Sequence, residues 1–227
     1  MIVSIHQPYY FPWLGYFEKV LKADIFVILD DVQYEKNNFY NRNRVKTANG
    51  ATWITVPVMY KSKINLMDIT IDEKQKWQKK HFDTIFFNYK KAPFFKEHEE
   101  FLENIFKNMQ WEKLIDINLY TLKYLFNALE IRTPIKYASK LNINSTATQR
   151  LIDITKAVGA DTYLSGSSGK NYMDLDLFNN EDIKILYQDY KSPKYTQLDD
   201  TFESNLSILD LLLNHGAKSK EIILSNK

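Results

Sequence analysis

The sequence predicts an α/β fold: a parallel-sheet, Rossmann-like core that carries a β-hairpin and an all-helical insertion. Three observations lead there. Residues 2–5 and 25–29 are short apolar runs, as in strands buried on both faces, and between them Leu14, Phe17, Val20 and Leu21 recur at helical spacing. Strand, helix, strand is a βαβ unit, whose two strands must run parallel. Asn49-Gly50 stands between two strand-like runs, the strongest short hairpin signal. Trp77, His81, Ile85 and Tyr89 repeat every four residues at the head of a long helical stretch.

In chain order, the first strand is followed by a loop over 6–12 with two prolines, then a helix over 13–23 and the strand 25–29. Residues 30–41 are polar, rich in Asn and Tyr and without apolar period, so they read as a long loop. The hairpin arms are 42–46 and 52–58, with Pro57 favouring an end or edge of the second. Helices are expected over 74–111 and 112–130, broken at Pro93; together they form the insertion 74–130. A strand at 135–139 follows. Asn144, Ser145 and Thr146 offer N-caps to a helix that ends at Val158-Gly159, where Gly suits the C′ position. Strands at 161–164 and 183–187 flank the loop 165–170, and an apolar helix at 207–214 stops at Gly216. With no repeat or low-complexity linker, residues 1–227 are expected to form one domain.

Composition narrows function. A chain of 227 residues can bury a sizeable core. Aromatics reach 15%, and such rings build cores and also line sugar and base pockets. A net charge of +2 is too small to suggest a nucleic-acid partner. The lack of cysteine excludes a disulfide scaffold, a thiolate nucleophile and a Cys-ligated metal. No apolar run spans a membrane and the first residues lack signal-peptide features, so a soluble cytoplasmic protein is expected.

In open parallel sheets, ligands bind beyond the carboxyl ends of the strands. Here those ends are His6, Asp30 and Ser165. His6, with Gln7 and Pro8 setting the turn, suits a general base or, protonated, a phosphate ligand; the plainer role is to hydrogen-bond its own loop. Asp30 and Asp31 suit a magnesium ligand, a general base or an acceptor for a substrate ammonium or hydroxyl, or simply a turn. Arg42 and Arg44, two apart on a strand, share a face, and with Asn41 they suit phosphates and sugar hydroxyls, or simply form a solvated hairpin face, Arg44 above all. Ser165-Gly166-Ser167-Ser168-Gly169-Lys170 reads as an anion nest with too few residues between its glycines for a P-loop. His81 reads as a core or rim histidine, His98 as exposed among charges, and His215 as a helix-end residue. No histidine pair has metal-ligand spacing, so no metal site is expected.

The stretch Ile5-His6-Gln7-Pro8-Tyr9-Tyr10-Phe11-Pro12-Trp13-Leu14-Gly15-Tyr16-Phe17, then Asp30-Asp31-Val32-Gln33 and Asn41-Arg42-Asn43-Arg44, resembles the WbqC-like family of polysaccharide gene clusters. Thr55-Val56-Pro57-Val58, the segment 164–172 and the segment 206–216 extend the likeness to both ends of the chain. The resemblance implies an acyl- or aminoacyltransferase, glycyl transfer included, that modifies a nucleotide-linked amino sugar in O-antigen or lipopolysaccharide biosynthesis. On that reading His6 deprotonates the amine, and Asp30 or Asp31 orients it or binds magnesium. Arg42, Arg44 and Lys170 hold phosphates. Tyr9, Tyr10, Phe11 or Trp13 stacks on sugar or base, and Gln7, Asn41, Ser165, Ser168 and Tyr172 complete the substrate contacts. The cofactor stays open between ATP with Mg and an acyl-CoA or acyl-carrier donor. A weaker likeness to nucleotidylyl-transferase-like enzymes lacks their His-x-Gly-His. A nucleotidyltransferase, another sugar-nucleotide-modifying enzyme and a noncatalytic sugar-nucleotide-binding module remain the alternatives.

Overall fold

The computed structural model describes residues 1–60, 62–199 and 201–225. Its strands are β1 (Ile2–His6), β2 (Ile25–Ile28), β3 (Arg42–Thr47), β4 (Gly50–Thr55), β5 (Val58–Met59), β6 (Thr70–Ile71), β7 (Ile135–Tyr137), β8 (Thr162–Ser165) and β9 (Lys184–Tyr187). Its helices are α1 (Leu14–Leu21), α2 (Trp77–Tyr89), α3 (Phe95–Glu103), α4 (Leu114–Ala128), α5 (Ala147–Ala157), α6 (Leu175–Asn180), α7 (Ile208–His215) and α8 (Ser219–Leu224). They divide into two compact units. One comprises Met1–Gln7, Gly15–Val32 and Ile131–Lys191; the other comprises Pro8–Leu14, Gln33–Glu130 and Ser192–Lys227.

The first unit is built on a five-stranded parallel sheet of order β7-β2-β1-β8-β9. Ranked by chain position, that order is 3-2-1-4-5, so it reverses between β1 and β8. This confirms the α/β expectation. Alternation along β1 sends Val3 and Ile5 into a core with Val27, Tyr163, Ile152 and Phe178, and sends Ser4 and His6 to the other face. Tyr163 and Phe178 stack at 5.7 Å between centroids. The start of β1 is pinned by Met1, whose ammonium lies 2.9 Å from Asp161, and by Asp24, which accepts from Ile2 N at 2.7 Å. After α5, Gly159 takes φ +75°, the C′ conformation expected of it. The N-terminus of that helix differs from expectation. Thr146 occupies the cap position without a side-chain capping bond, and Ser145 Oγ instead donates to Asp153 at 2.5 Å.

The second unit holds the hairpin β3–β4, closed by Ala48-Asn49 with Gly50 at φ +91°, which places Arg44 opposite Trp53. The second arm is shorter than the expected 52–58. It ends at Thr55, and Val58–Met59 pairs instead with Thr70–Ile71. Asn41 causes the break: its carbonyl accepts from Val56 N at 2.7 Å, and its amide donates to Val56 O at 2.8 Å. Pro57, with no N–H, follows directly. Helices α2 and α3 part at Pro93 as expected, and Trp77, His81, Ile85 and Tyr89 are all buried. His98 is buried rather than exposed; its Nδ1 lies 2.8 Å from Tyr124 Oη on α4. Gly216 has φ +54°, and a Cβ there would meet the Phe94 ring at 2.4 Å. Among the described residues no helix is long and apolar enough to cross a membrane.

Candidate functional site

A 3-2-1-4-5 parallel sheet opens a crevice where its strand order reverses. In the first unit that point lies beyond the carboxyl ends of β1 and β8, at His6-Gln7 and Ser165-Gly166. His6 packs edge-on against Tyr16, 4.9 Å between centroids. Its Nδ1 lies 3.1 Å from Gln7 O. A carbonyl only accepts, so Nδ1 carries the proton of the neutral ring and Nε2 is the basic nitrogen. Burial, helped by the Lys19 ammonium, pushes the imidazole down to about 3. His6 is therefore neutral at physiological pH.

Two neighbours on α1 escaped the sequence reading. Lys19 is buried and donates to Ile5 O at 3.3 Å; burial brings its amine down to about 8, with Glu18 pulling the other way. Glu18 is buried beside it, and Gln188, just past β9, donates to Glu18 Oε2 at 2.5 Å and to Gly15 O at 2.7 Å. Nothing in the sequence marks them: seven of the eight residues of α1, Leu14 to Val20, are buried, whereas its apolar spacing marks only one covered face.

The two carboxylates after β2 have protein partners. Asp30 is buried and accepts from Ser139 N at 2.9 Å and Ser139 Oγ at 2.7 Å, which ties β2 to the segment after β7. Asp31 is half-buried, and Arg150 Nη2 lies 2.6 and 2.7 Å from its oxygens. Among the described residues no three His, Asp or Glu side chains cluster as a metal site would require.

The loop after β8 lacks the αR–αL form of a nest. Residues Ser167–Asn171 wind into a 3-10 turn in which Gly169 N donates to Gly166 O at 3.0 Å, and neither glycine has positive φ. The αR–αL form of a nest needs a residue at positive φ. Gly169 is required for another reason: a Cβ there would stand 2.1 Å from Ser165 Oγ. Ser165 is fully buried, its hydroxyl donating to Gly166 O at 3.1 Å, so it faces the interior rather than a ligand. Ser168 and Tyr172 are exposed, and Lys170 lies 4.6 Å over the Tyr187 ring at the end of β9.

The remaining candidates lie in the second unit. Tyr10 has no exposed surface, so its ring cannot stack on a ligand. Its hydroxyl donates to His81 Nδ1 at 2.9 Å, since His81 Nε2 gives its proton to Thr55 O at 3.1 Å. Phe11 is buried as well. Tyr9 is partly exposed and packs against Phe39 and Tyr40, while Trp13 bridges to Ser207. Asn41 is buried with its amide committed to Val56. Arg42 lies 4.6 Å over the Trp53 ring and Arg44 lies 6.0 Å from it, so both share one hairpin face as their spacing predicts. Arg44 Nη2 is engaged by the carbonyls of Ser204 (3.3 Å) and Asn205 (3.2 Å).

A parallel sheet of this order, with a neutral histidine closing its central strand at the switch point, defines a Rossmann-like α/β protein. The WbqC-like protein family matches residues 7–222, and the chain belongs to that family. It is 35% identical over 224 residues to the uncharacterized protein Rv1507c of Mycobacterium tuberculosis, which covers 97% of this chain and 96% of that one. No solved structure matches it.

Proposed function

We propose that this protein is a cytoplasmic enzyme that transfers an acyl or aminoacyl group, glycyl included, to the amine of a nucleotide-linked amino sugar in bacterial surface-polysaccharide biosynthesis. The observation that carries this reading is the neutral His6 at the switch point of the sheet. The sugar amine attacks the activated acyl carbon; the C–N bond forms, the donor's leaving group departs with its bonding pair, and that departing group, directly or through water, takes up the proton the amine gives up. A base held near 3 is poorly matched to removing that proton at neutral pH. His6 therefore orients the amine through Nε2, and Lys19 acts through His6 by keeping the ring uncharged. Membership of the WbqC-like family supports the substrate class through the role proposed for that family.

The test is mass spectrometry of a UDP- or dTDP-amino sugar incubated with the protein and, in turn, amino acid with ATP and magnesium, or an acyl-CoA. A mass gain matching the acyl group, reduced at least tenfold in His6→Gln, is expected. No mass gain with any donor, together with no thermal stabilisation by the sugar nucleotides, ends the reading. One observation favours a noncatalytic sugar-nucleotide-binding module: Asp30 and Asp31 are both engaged by protein groups. Saturable binding without turnover would select it.

A further inference from the structure

Two clefts in the second unit, of about 580 and about 450 Å³, share Thr55, Gln75 and Lys80 and so form one groove between β4 and the start of α2. Each is within the ~300–1,000 Å³ usual for small-molecule sites. The lining contains four cations, Lys36, Arg42, Lys76 and Lys80, and no carboxylate. None of the four has an ion-pair partner among the described residues. Neighbouring lysines differ: Lys79 pairs with Asp83 and Lys107 with Glu103. Clustered like charges repel, so an unneutralised group of four is costly unless an anion joins it.

The groove also has a preset guanidinium and open rings. Arg42 Nη2 donates to Asn37 O at 2.5 Å while its plane rests on Trp53, which fixes the fork that pairs with phosphate oxygens. Trp53 is 45% exposed and Tyr60 42%, large values for rings beside charge. Exposed rings next to cations are the elements with which proteins stack a base and hold its phosphates.

We propose that this groove binds a nucleoside diphosphate, the phosphates on Arg42, Lys36, Lys76 and Lys80 and the base on Trp53 or Tyr60. The inference deepens the reading above and rests on it only for what the diphosphate carries, an amino sugar; recognition of the diphosphate stands on the groove alone.

The test is calorimetric titration of the full chain with UDP, uridine, inorganic pyrophosphate, a UDP-hexosamine and a ten-nucleotide single-stranded RNA. UDP is expected to bind, pyrophosphate to compete with it, and uridine to bind at least tenfold more weakly. Lys36→Glu and Lys80→Glu, both at exposed positions, should each weaken UDP about tenfold or more with the melting temperature unchanged. Trp53→Leu should weaken UDP more than pyrophosphate. Tighter binding of the hexosamine conjugate than of UDP assigns the site to a sugar-linked ligand, and equal binding assigns it to the nucleotide alone. UDP binding untouched by both charge reversals, uridine binding as well as UDP, or RNA binding far tighter than UDP would each overturn the proposal. UDP binding weakened by Lys80→Glu, with no acyl transfer under any condition, keeps the groove and ends the transferase reading. Acyl transfer and UDP binding both unchanged in Lys80→Glu keep that reading and end the groove.

Discussion

Asp31 and Arg150 join the end of β2 to α5 across 119 residues of chain, and removing either one tests whether that carboxylate serves the fold or a ligand. Arg150 Nη2 is 2.6 and 2.7 Å from the Asp31 oxygens, and the side chains are 22% and 16% exposed for Asp31 and Arg150. Exposed pairs contribute ~0–1 kcal/mol, whereas breaking a buried pair costs ~3–5 kcal/mol. This pair lies between the limits, so Asp31→Ala should lose about 1–3 kcal/mol. The upper half of that range is favoured because Arg150 Nε already has no acceptor among the described residues, so the guanidinium would be left half-buried with little to hold it. At this chain length the loss corresponds to a fall in Tm of roughly 2–12 °C. The assay is a double-mutant cycle in urea with Asp31→Ala, Arg150→Met and the double variant. A coupling of about 1–2 kcal/mol is expected, the double variant being little worse than the worse single one. Strict additivity, or loss of acyl transfer in Asp31→Ala at unchanged stability, would refute the structural assignment and return Asp31 to the site.

Three further predictions follow from the same geometry. His6 and His81 are both pushed down to about 3, mainly by burial, so their NMR ring signals should stay those of neutral imidazole down to pH 5; a midpoint near 6.5 in either would refute the placement. Because the folded midpoints lie below the ordinary value, the unfolded chain takes up protons first, and the stability these rings support is intact above pH 6.5 and lost as pH falls from 6.5 toward 3. Gly169→Ala places a Cβ 2.1 Å from Ser165 Oγ and should cost about 1–3 kcal/mol in thermal melts; adding Ser165→Ala removes the closest contact and should restore part of it, and no restoration would show the strain lies elsewhere. Tyr10→Phe leaves His81 Nδ1 a buried acceptor without its donor, for a loss of about 1–3 kcal/mol; an unchanged melt would mean the hydroxyl does not bond the ring.

Most of the backbone was legible in the sequence because what decides it is local. Apolar runs of four or five residues marked β1 and β2, Asn49-Gly50 marked the turn, and Gly159 marked the end of α5. The fate of the polar side chains at the strand ends was not legible, because distant partners decide it. Asp30 is claimed by Ser139, 109 residues on, and Tyr10 by His81, 71 residues on. Ser165 is turned inward by strand alternation, which depends on which face of β8 is covered. Lys19 belongs to the same class: an apolar stripe marks one covered face of a helix, and nothing local says the other faces are covered too.

The groove lies between these cases. Once the turn sets the hairpin register, Arg44 must oppose Trp53, and Arg42, two residues away, must share its face. Lys80 and Thr84, four apart, form a ridge of α2 that Lys76 at its N-cap precedes, beside the buried stripe Trp77, His81, Ile85. Both ridges can be written down from the sequence, but each alone is an ordinary solvated face. What makes them a candidate site is that β4 and α2 enclose one cleft in which every charged side chain is positive, and that enclosure is a property of packing. A sequence reading of such a site should therefore look for two unpaired basic ridges flanking one hairpin and one helix start, rather than for a motif.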